Sequence, residues 1–368
     1  MLSAILFILV LGVLVFVHEL GHFLAARSSN IKVTEFGLGL PPKAYGYTPK
    51  DSEVEYTLNW LPIGGFVKIY GEDYEALKSD DPDYNRSFVK ATKIRQVFVM
   101  IAGVSMNFLI AILLLTMAAW WGTPVITDDN VNRDGFYVIS VNSDSPGSLA
   151  GLESGVEITS INNGAEVVSG ADLDSESFAR VIQSTSENVE LEIVTNGKVK
   201  QITITPEVGA IAQAPDQKAI GVYADSLVTQ RAGFVEGIKI GVTDTLYALG
   251  SVAKGFGGLI ADSFTGSGKE TISKLSGPLG IAQLSEQAFS IGLGSLFSFT
   301  AFLSLNLVVL NLLPIPALDG GRILFVIIEA IKGSRLNPKF AGYTNLVGFA
   351  LLLILMFAVT AQDIIRIF

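Results

Sequence analysis

His18-Glu19-Leu20-Gly21-His22 closes an apolar run that starts Leu2-Ser3-Ala4-Ile5-Leu6-Phe7-Ile8-Leu9-Val10-Leu11 and stays apolar to Val17. On a helix, residues four apart share a face, so both imidazoles project toward one point. That spacing suits two nitrogen ligands of a tetrahedral Zn²⁺. Glu19 stands beside them, placed to take a proton from a water that such a metal activates. The chain holds only 2 histidines, both in this motif. A short helix with histidines on its polar face is the alternative reading. It fits poorly, because two imidazoles and a carboxylate in a membrane helix are costly unless they serve a function.

The bulk composition agrees with a membrane setting. Of 368 residues, 49% are hydrophobic and 16% charged, against about 25% charged in a typical soluble domain. There is no cysteine, which removes disulfides and thiolate ligands. A net charge of −10 argues against nucleic acid as a partner. The N-terminal run is not read as a cleaved signal peptide: it lacks a basic start and a small-residue cleavage site, and cleavage would discard the histidine motif.

Four stretches are long enough to span roughly 30 Å of hydrocarbon. The expected organisation is a polytopic α-helical membrane protein with about four transmembrane helices, at 1–26, 96–121, 293–331 (apolar to about Leu313) and 343–362. Residues 27–95 form a loop with a glycine-rich β-hairpin, 135–208 a β-rich module, and 209–292 an amphipathic helix and a Gly-Pro loop. Arg27, Lys32, Lys43, Lys50, Lys90, Lys93 and Arg95 fall between the first two spans, and Arg322, Lys332, Arg335 and Lys339 between the last two. The positive-inside rule then puts these loops in the cytoplasm, and both termini and the long acidic segment outside it.

Within the first loop, Glu53-Val54-Glu55-Tyr56-Thr57-Leu58 and Phe66-Val67-Lys68-Ile69-Tyr70 read as two strands, with Leu61-Pro62-Ile63-Gly64-Gly65 as their turn. Phe36-Gly37-Leu38-Gly39-Leu40-Pro41-Pro42 is an extended lead-in. Two readings stay open for this hairpin: a plain surface feature, or an edge strand near the metal that pairs with an extended peptide. A polar loop is expected from about Tyr74 to Tyr84. The 135–208 segment alternates strands with one helical stretch, Ser177 to Ile182, and this β-rich order resembles a circularly permuted PDZ domain. Phe234 to Leu259 is amphipathic and is expected to lie along the outer membrane surface. Thr265 to Thr271 only superficially suggests a P-loop, because Ser263 and Glu270 stand where glycine and Ser/Thr are required.

Two histidines leave zinc short of a protein ligand, and without a third His or any Cys it must be a carboxylate. Asp319 is the favoured candidate. It ends Asn311-Leu312-Leu313-Pro314-Ile315-Pro316-Ala317-Leu318-Asp319-Gly320-Gly321, where prolines break the third span. Non-helical backbone at membrane depth is tolerated only inside protein or along a wet cavity.

With these motifs together, the chain resembles the site-2 protease family, and within it the bacterial RseP-like regulated intramembrane zinc metalloproteases. The likeness runs nearly end to end: the H-E-L-G-H, the glycine-rich hairpin, Ala102-Gly103 with Asn107, one PDZ-like module, Gly277-Pro278-Leu279-Gly280, and N-x-x-P-x-P-x-L-D-G-G. The resemblance implies zinc held by His18, His22 and Asp319, with Glu19 as general base. It implies that Asn306 and Asn311 hold substrate backbone, and that the hairpin around Gly64 and Gly65 pairs with an unwound helix. It further implies single-pass transmembrane substrates, such as anti-sigma factors or remnant signal peptides, and a place in the bacterial inner membrane. A catalytically silent chaperone or adaptor gripping transmembrane helices is the competing reading, and the intact Glu19 argues against it. A zinc carrier would need several polar sites along a path, and the chain offers one.

Overall fold

The computed structural model of the protein describes residues 2–72, 81–126, 133–142, 145–185, 187–195, 197–210, 216–264 and 277–367. The polar loop expected over 74–84 lies largely outside these residues, and the stretch 265–271 wholly so. In chain order the helices are α1 (Leu2–Ser28), α2 (Lys93–Trp121), α3 (Pro146–Leu149), α4 (Ser175–Ser184), α5 (Phe234–Phe264), α6 (Pro278–Ile291), α7 (Leu293–Leu312), α8 (Asp319–Lys332) and α9 (Pro338–Ile367). Of these, α1, α2, α7 and α9 are long and apolar enough to cross a membrane. The chain forms two compact units: residues 1–117, 238–286 and 297–368, and residues 118–237 and 287–296.

In the first unit, α1 packs on a small sheet made of β1 (Val33–Tyr47) and β2 (Glu55–Ile69). Phe23, Ala26, Ile31, Val33, Phe36, Ile69, Phe88, Val99 and Met100 form one buried cluster between helix and sheet. Phe36 meets Phe23 and Phe16 edge-on, with ring centroids 5.2 and 5.7 Å apart. Such aromatic pairs add about 0.5–1.5 kcal/mol each beyond area burial, and here they pin β1 to the helix that carries the histidines.

The strand pairing differs from the sequence expectation. The two segments expected to form a hairpin do not pair with each other. Gly37 pairs with Phe66 on one side and with Thr57 on the other, and Leu38 likewise with Gly65 and Leu58. The glycine-rich lead-in is therefore the central strand, and the 61–65 stretch lies within β2 as a bend, with Gly64 at φ +83°. The reason is steric. A Cβ at Gly37 would lie 2.5 Å from the Phe66 ring and 3.0 Å from Thr57 Oγ1, so only glycine fits between the flanking segments. The turn joining β1 to β2 falls at 48–54 instead.

Two further expectations change. α5 does not lie as a free surface helix: Ala248, Leu249, Val252 and Phe256 pack with Phe108 and Ala111 of α2 and with Ala301 and Leu305 of α7. Its amphipathic stripe is real, but the membrane-spanning helices take it up. The stretch expected as a Gly-Pro loop instead starts helix α6 at Pro278, and Asp363 of α9, which is buried, accepts from the N–H groups of Gly277 and Gly280 at 3.1 and 3.0 Å. A carboxylate at the start of α6 satisfies donors that a helix N-terminus leaves free.

The second unit is built on an antiparallel sheet. Its strands are β3 (Thr123–Ile126), β4 (Gly135–Val141), β5 (Glu157–Asn162), β6 (Val167–Ser169), β7 (Val189–Thr195) and β8 (Lys198–Ile204). After the short pair β9 (Glu207–Val208) and β10 (Lys218–Ala219) comes β11 (Val222–Gln230). The spatial order is β3-β11-β4-β5-β7-β8, with β6 on β5. β11 thus sits inside the sheet, so the expected boundary at 208 cuts the unit short. Its alternation is weak, and its place comes from pairing with β4 and β3. Asp174 and Ser177 close a capping box at α4, and Phe178, Val181 and Ile182 pack on Val138, Ile158, Ile161 and Leu191.

Candidate metal centre

His18 and His22 lie on one face of α1, both buried, at 7% and 6% exposure. Their Nε2 atoms are 3.1 Å apart. Asp319 is the first residue of α8. Its Oδ2 lies 3.1 Å from His18 Nε2 and 3.3 Å from His22 Nε2. Bonds of about 2.0 Å to a tetrahedral zinc set ligand atoms roughly 3.3 Å apart, so the triangle fits the ion. The proton positions agree. His22 Nδ1 is 2.8 Å from the Val99 carbonyl, which takes its N–H and leaves Nε2 as a bare lone pair. Among the described residues, the buried Asp319 Oδ2 has no hydrogen-bond partner beyond these two imidazoles. With both Nε2 atoms unprotonated, three lone pairs converge and repel unless a cation sits among them.

Three elements make this convergence possible. α1 sets the spacing of the two imidazoles. α2 supplies the room: a Cβ at Gly103 would come 2.4 Å from His22 Nε2 and 2.9 Å from His18 Nε2. The break between α7 and α8 aims the carboxylate. Ala317 there holds φ +76°, a left-handed conformation uncommon outside glycine, and its N–H donates to Asn345 Oδ1 of α9 at 3.2 Å. At the head of α8, Asp319 also has the favourable end of the helix dipole.

The three groups open into a cavity of about 410 Å³ that Glu19 also lines. Its other walls are Phe66 to Ile69 of β2, Glu72, Ala317 and Arg322. Val67 borders Glu19 in this cavity. Gly65 passes close by: a Cβ there would lie 3.7 Å from Glu19 Cγ. Arg322, three residues after Asp319 on the same helix, forms an ion pair with Glu72. At the end of β2, Tyr70 donates its hydroxyl to Asp81 at 2.6 Å, and that bond to an anion pushes its pKa up to about 12.

Of the residues singled out from sequence, His18, His22, Glu19 and Asp319 are thus together, with Gly65 beside them. Gly64 lines a second, apolar cavity of about 380 Å³ with Gly12, Phe16, Leu38 and Leu58. Asn306 and Asn311 do not line the metal cavity, and the Asn306 amide donates to the Phe302 carbonyl of its own helix at 2.8 Å. Sequence reasoning missed Gly103 as the space-maker, Asn107 as a neighbour of His18, and the Arg322–Glu72 pair. One signal was available: Val99, Gly103 and Asn107 recur every four residues, which puts them on one face of α2.

Comparison with known sequences agrees with this geometry. The sequence profile of peptidase family M50 matches residues 6–355. The regulator of sigma-W protease RasP of Bacillus subtilis is 29% identical, aligned over 100% of this chain and 99% of its own. The zinc metalloprotease RasP of Geobacillus kaustophilus is 29% identical over 100% of this chain and 98% of its own. A relative from Clostridium acetobutylicum reaches 32% identity over 99% of this chain and 97% of its own.

Proposed function

The chain belongs to peptidase family M50 and is a membrane zinc metalloprotease; from that premise we propose that it cuts single-pass transmembrane proteins inside the membrane, with His18, His22 and Asp319 holding the zinc and Glu19 as general base. The observation that carries this is the triangle of Nε2, Nε2 and Oδ2 atoms within 3.3 Å of one another, opening into the cavity that Glu19 lines. Bound zinc supplies Lewis acidity toward a water and toward a carbonyl oxygen. Glu19 takes the proton of the attacking water and returns it to the leaving amine. Its carboxylate lines the same cavity as the two imidazoles and Asp319. Each imidazole would give zinc its Nε2 lone pair and carry its ring proton on Nδ1.

A helical substrate hides its scissile bond within its own hydrogen bonds, so it must unwind first. Lipid offers the freed N–H and C=O groups nothing. The edge of β2 at Phe66 to Ile69 offers them strand pairing; its support is that these residues line the cavity and that, among the described residues, no other strand pairs there. In this reading Gly64 and Gly65 keep the approach to that edge free of side chains, and Asn306 and Asn311 are held to a lesser role in binding substrate backbone. The β-rich unit is read as a PDZ-like substrate filter, supported by its strand order around a single long helix. The name of the Bacillus subtilis relative, a regulator of sigma-W protease, supports substrates of the anti-sigma-factor class. The charge pattern of the loops supports a bacterial inner-membrane protein with both termini and the β-rich unit outside the cytoplasm.

The test uses detergent-solubilised protein and a model single-pass helix. Fragments are expected with zinc present, their loss on adding a chelator, and their return on restoring zinc. Cleavage that a chelator leaves untouched would overturn the assignment.

A further inference from the structure

We propose that Asn107 is the positioning residue that fixes His18 as a zinc ligand through Nε2, by accepting the Nδ1–H of that ring. The proposal rests on the reading of His18 and His22 as ligands and extends it to a residue outside the ligand set.

Asn107 is fully buried in α2, at 0% exposure. Its main-chain carbonyl is held by Ser304 Oγ of α7 at 2.8 Å. Its side-chain Nδ2 lies 3.3 Å from His18 Nδ1, while among the described residues its buried Oδ1 has no hydrogen-bond partner. An unsatisfied buried oxygen is destabilising, which calls for an explanation in terms of what the amide does when the site is loaded.

Neutral imidazole carries one ring proton. When Nε2 gives its lone pair to a metal, the proton must sit on Nδ1 and needs an acceptor. For His22 that acceptor is the Val99 carbonyl. Asn107 stands on the same face of α2, two turns further on, with Gly103 between them making room for the rings. Among the described residues Asn107 is the hydrogen-bond partner of His18 Nδ1. A half-turn about its last torsion exchanges oxygen and nitrogen at nearly the same positions. In one setting the amide donates to a bare Nδ1, leaving the His18 proton on Nε2 toward Asp319. In the other it accepts from Nδ1–H, and Nε2 is free for zinc. Asparagine serves both states, aspartate only the second, and leucine neither.

The experiment follows histidine ring nitrogens by NMR in the full chain in detergent micelles. With 2 histidines the spectrum contains four ring nitrogens. On adding zinc to the wild type, both Nε2 signals should shift, and His18 Nδ1 should show the signature of a protonated nitrogen. Chelator competition should then show Asn107→Leu losing roughly 10- to 100-fold in zinc affinity, with Asn107→Asp within a few-fold of wild type and restoring the Nδ1–H signature. Thermal unfolding of the zinc-free forms separates a packing defect from this effect. A lone-pair signature at His18 Nδ1 in the zinc-loaded wild type would overturn the proposal. So would a folded Asn107→Leu with unchanged affinity, or an Asp variant no better than Leu. Nε2 signals that do not respond to zinc would instead overturn the ligand assignment, so the two failures are distinct.

Discussion

At the scale of single residues, the chemistry rests on very few atoms, and two substitutions separate metal holding from proton transfer. Glu19→Gln keeps the shape of the side chain and removes its basicity. It should retain zinc and fold while losing about 10²- to 10⁴-fold in cleavage rate; metal analysis beside a cleavage assay checks both halves. Gly103→Ala acts on the metal instead. Its Cβ would come 2.4 Å from His22 Nε2, and overpacking of this kind costs about 1–3 kcal/mol. Zinc affinity should fall while helix content, read by circular dichroism, is unchanged. The four central side chains were legible in the sequence because the chemistry is exacting: with 2 histidines and no cysteine, the ligand choice nearly closes by elimination. Gly103 and Asn107 were not, because their role is to leave space and to orient a ring, and neither shows until α2 is laid against α1.

At the scale of elements, the spans were readable because apolar length is a strong signal, and so was the break after α7, because prolines cannot continue a helix. The strand pairing was not. Alternation marks a strand but does not name its neighbour, and the glycines that read as a lead-in are what allow β1 to run between Thr57 and Phe66. The face taken up by α5 was likewise hidden, since amphipathicity fits a lipid surface and a helix bundle equally well. The open edge of β2 yields a sharp prediction. Proline deletes a donor and fixes φ, and successive N–H groups point to opposite edges of a strand. In a proline scan from Phe66 to Tyr70, changes at Phe66 and Lys68 should break the ladder to β1 and lower thermal stability. Val67→Pro should leave zinc content and stability near wild type but weaken cleavage, through loss of pairing with substrate. A helix-destabilising residue in the substrate should recover part of that loss. If every proline either unfolds the protein or changes nothing, the edge-strand idea fails.

At the scale of the whole molecule, the unit that holds His18, His22 and Asp319 is distinct from the β-rich unit. The sheet ends at Gln230 rather than at 208, so an excision has to remove residues 123–230 to avoid stranding β3 and β11. The ends to be joined are close: the Ala232 N–H donates to the Ala119 carbonyl at 2.8 Å, and Trp120 stacks on Phe234 at 5.0 Å. A short linker should therefore bridge them. The shortened protein should keep zinc and cut a substrate lacking a bulky outer domain at least as fast as the full chain; a large loss with zinc retained would mean the unit presents substrate rather than filtering it. The most direct test of the central claim is the position of the cut. The protein is reconstituted in lipid bilayers with a single-pass helix, and the fragments are sized by mass spectrometry. Wild type should cut within the apolar segment and Glu19→Gln should not, whereas a cut confined to the soluble flanks, or one that survives Glu19→Gln, would contradict an intramembrane zinc peptidase that uses Glu19 as its base.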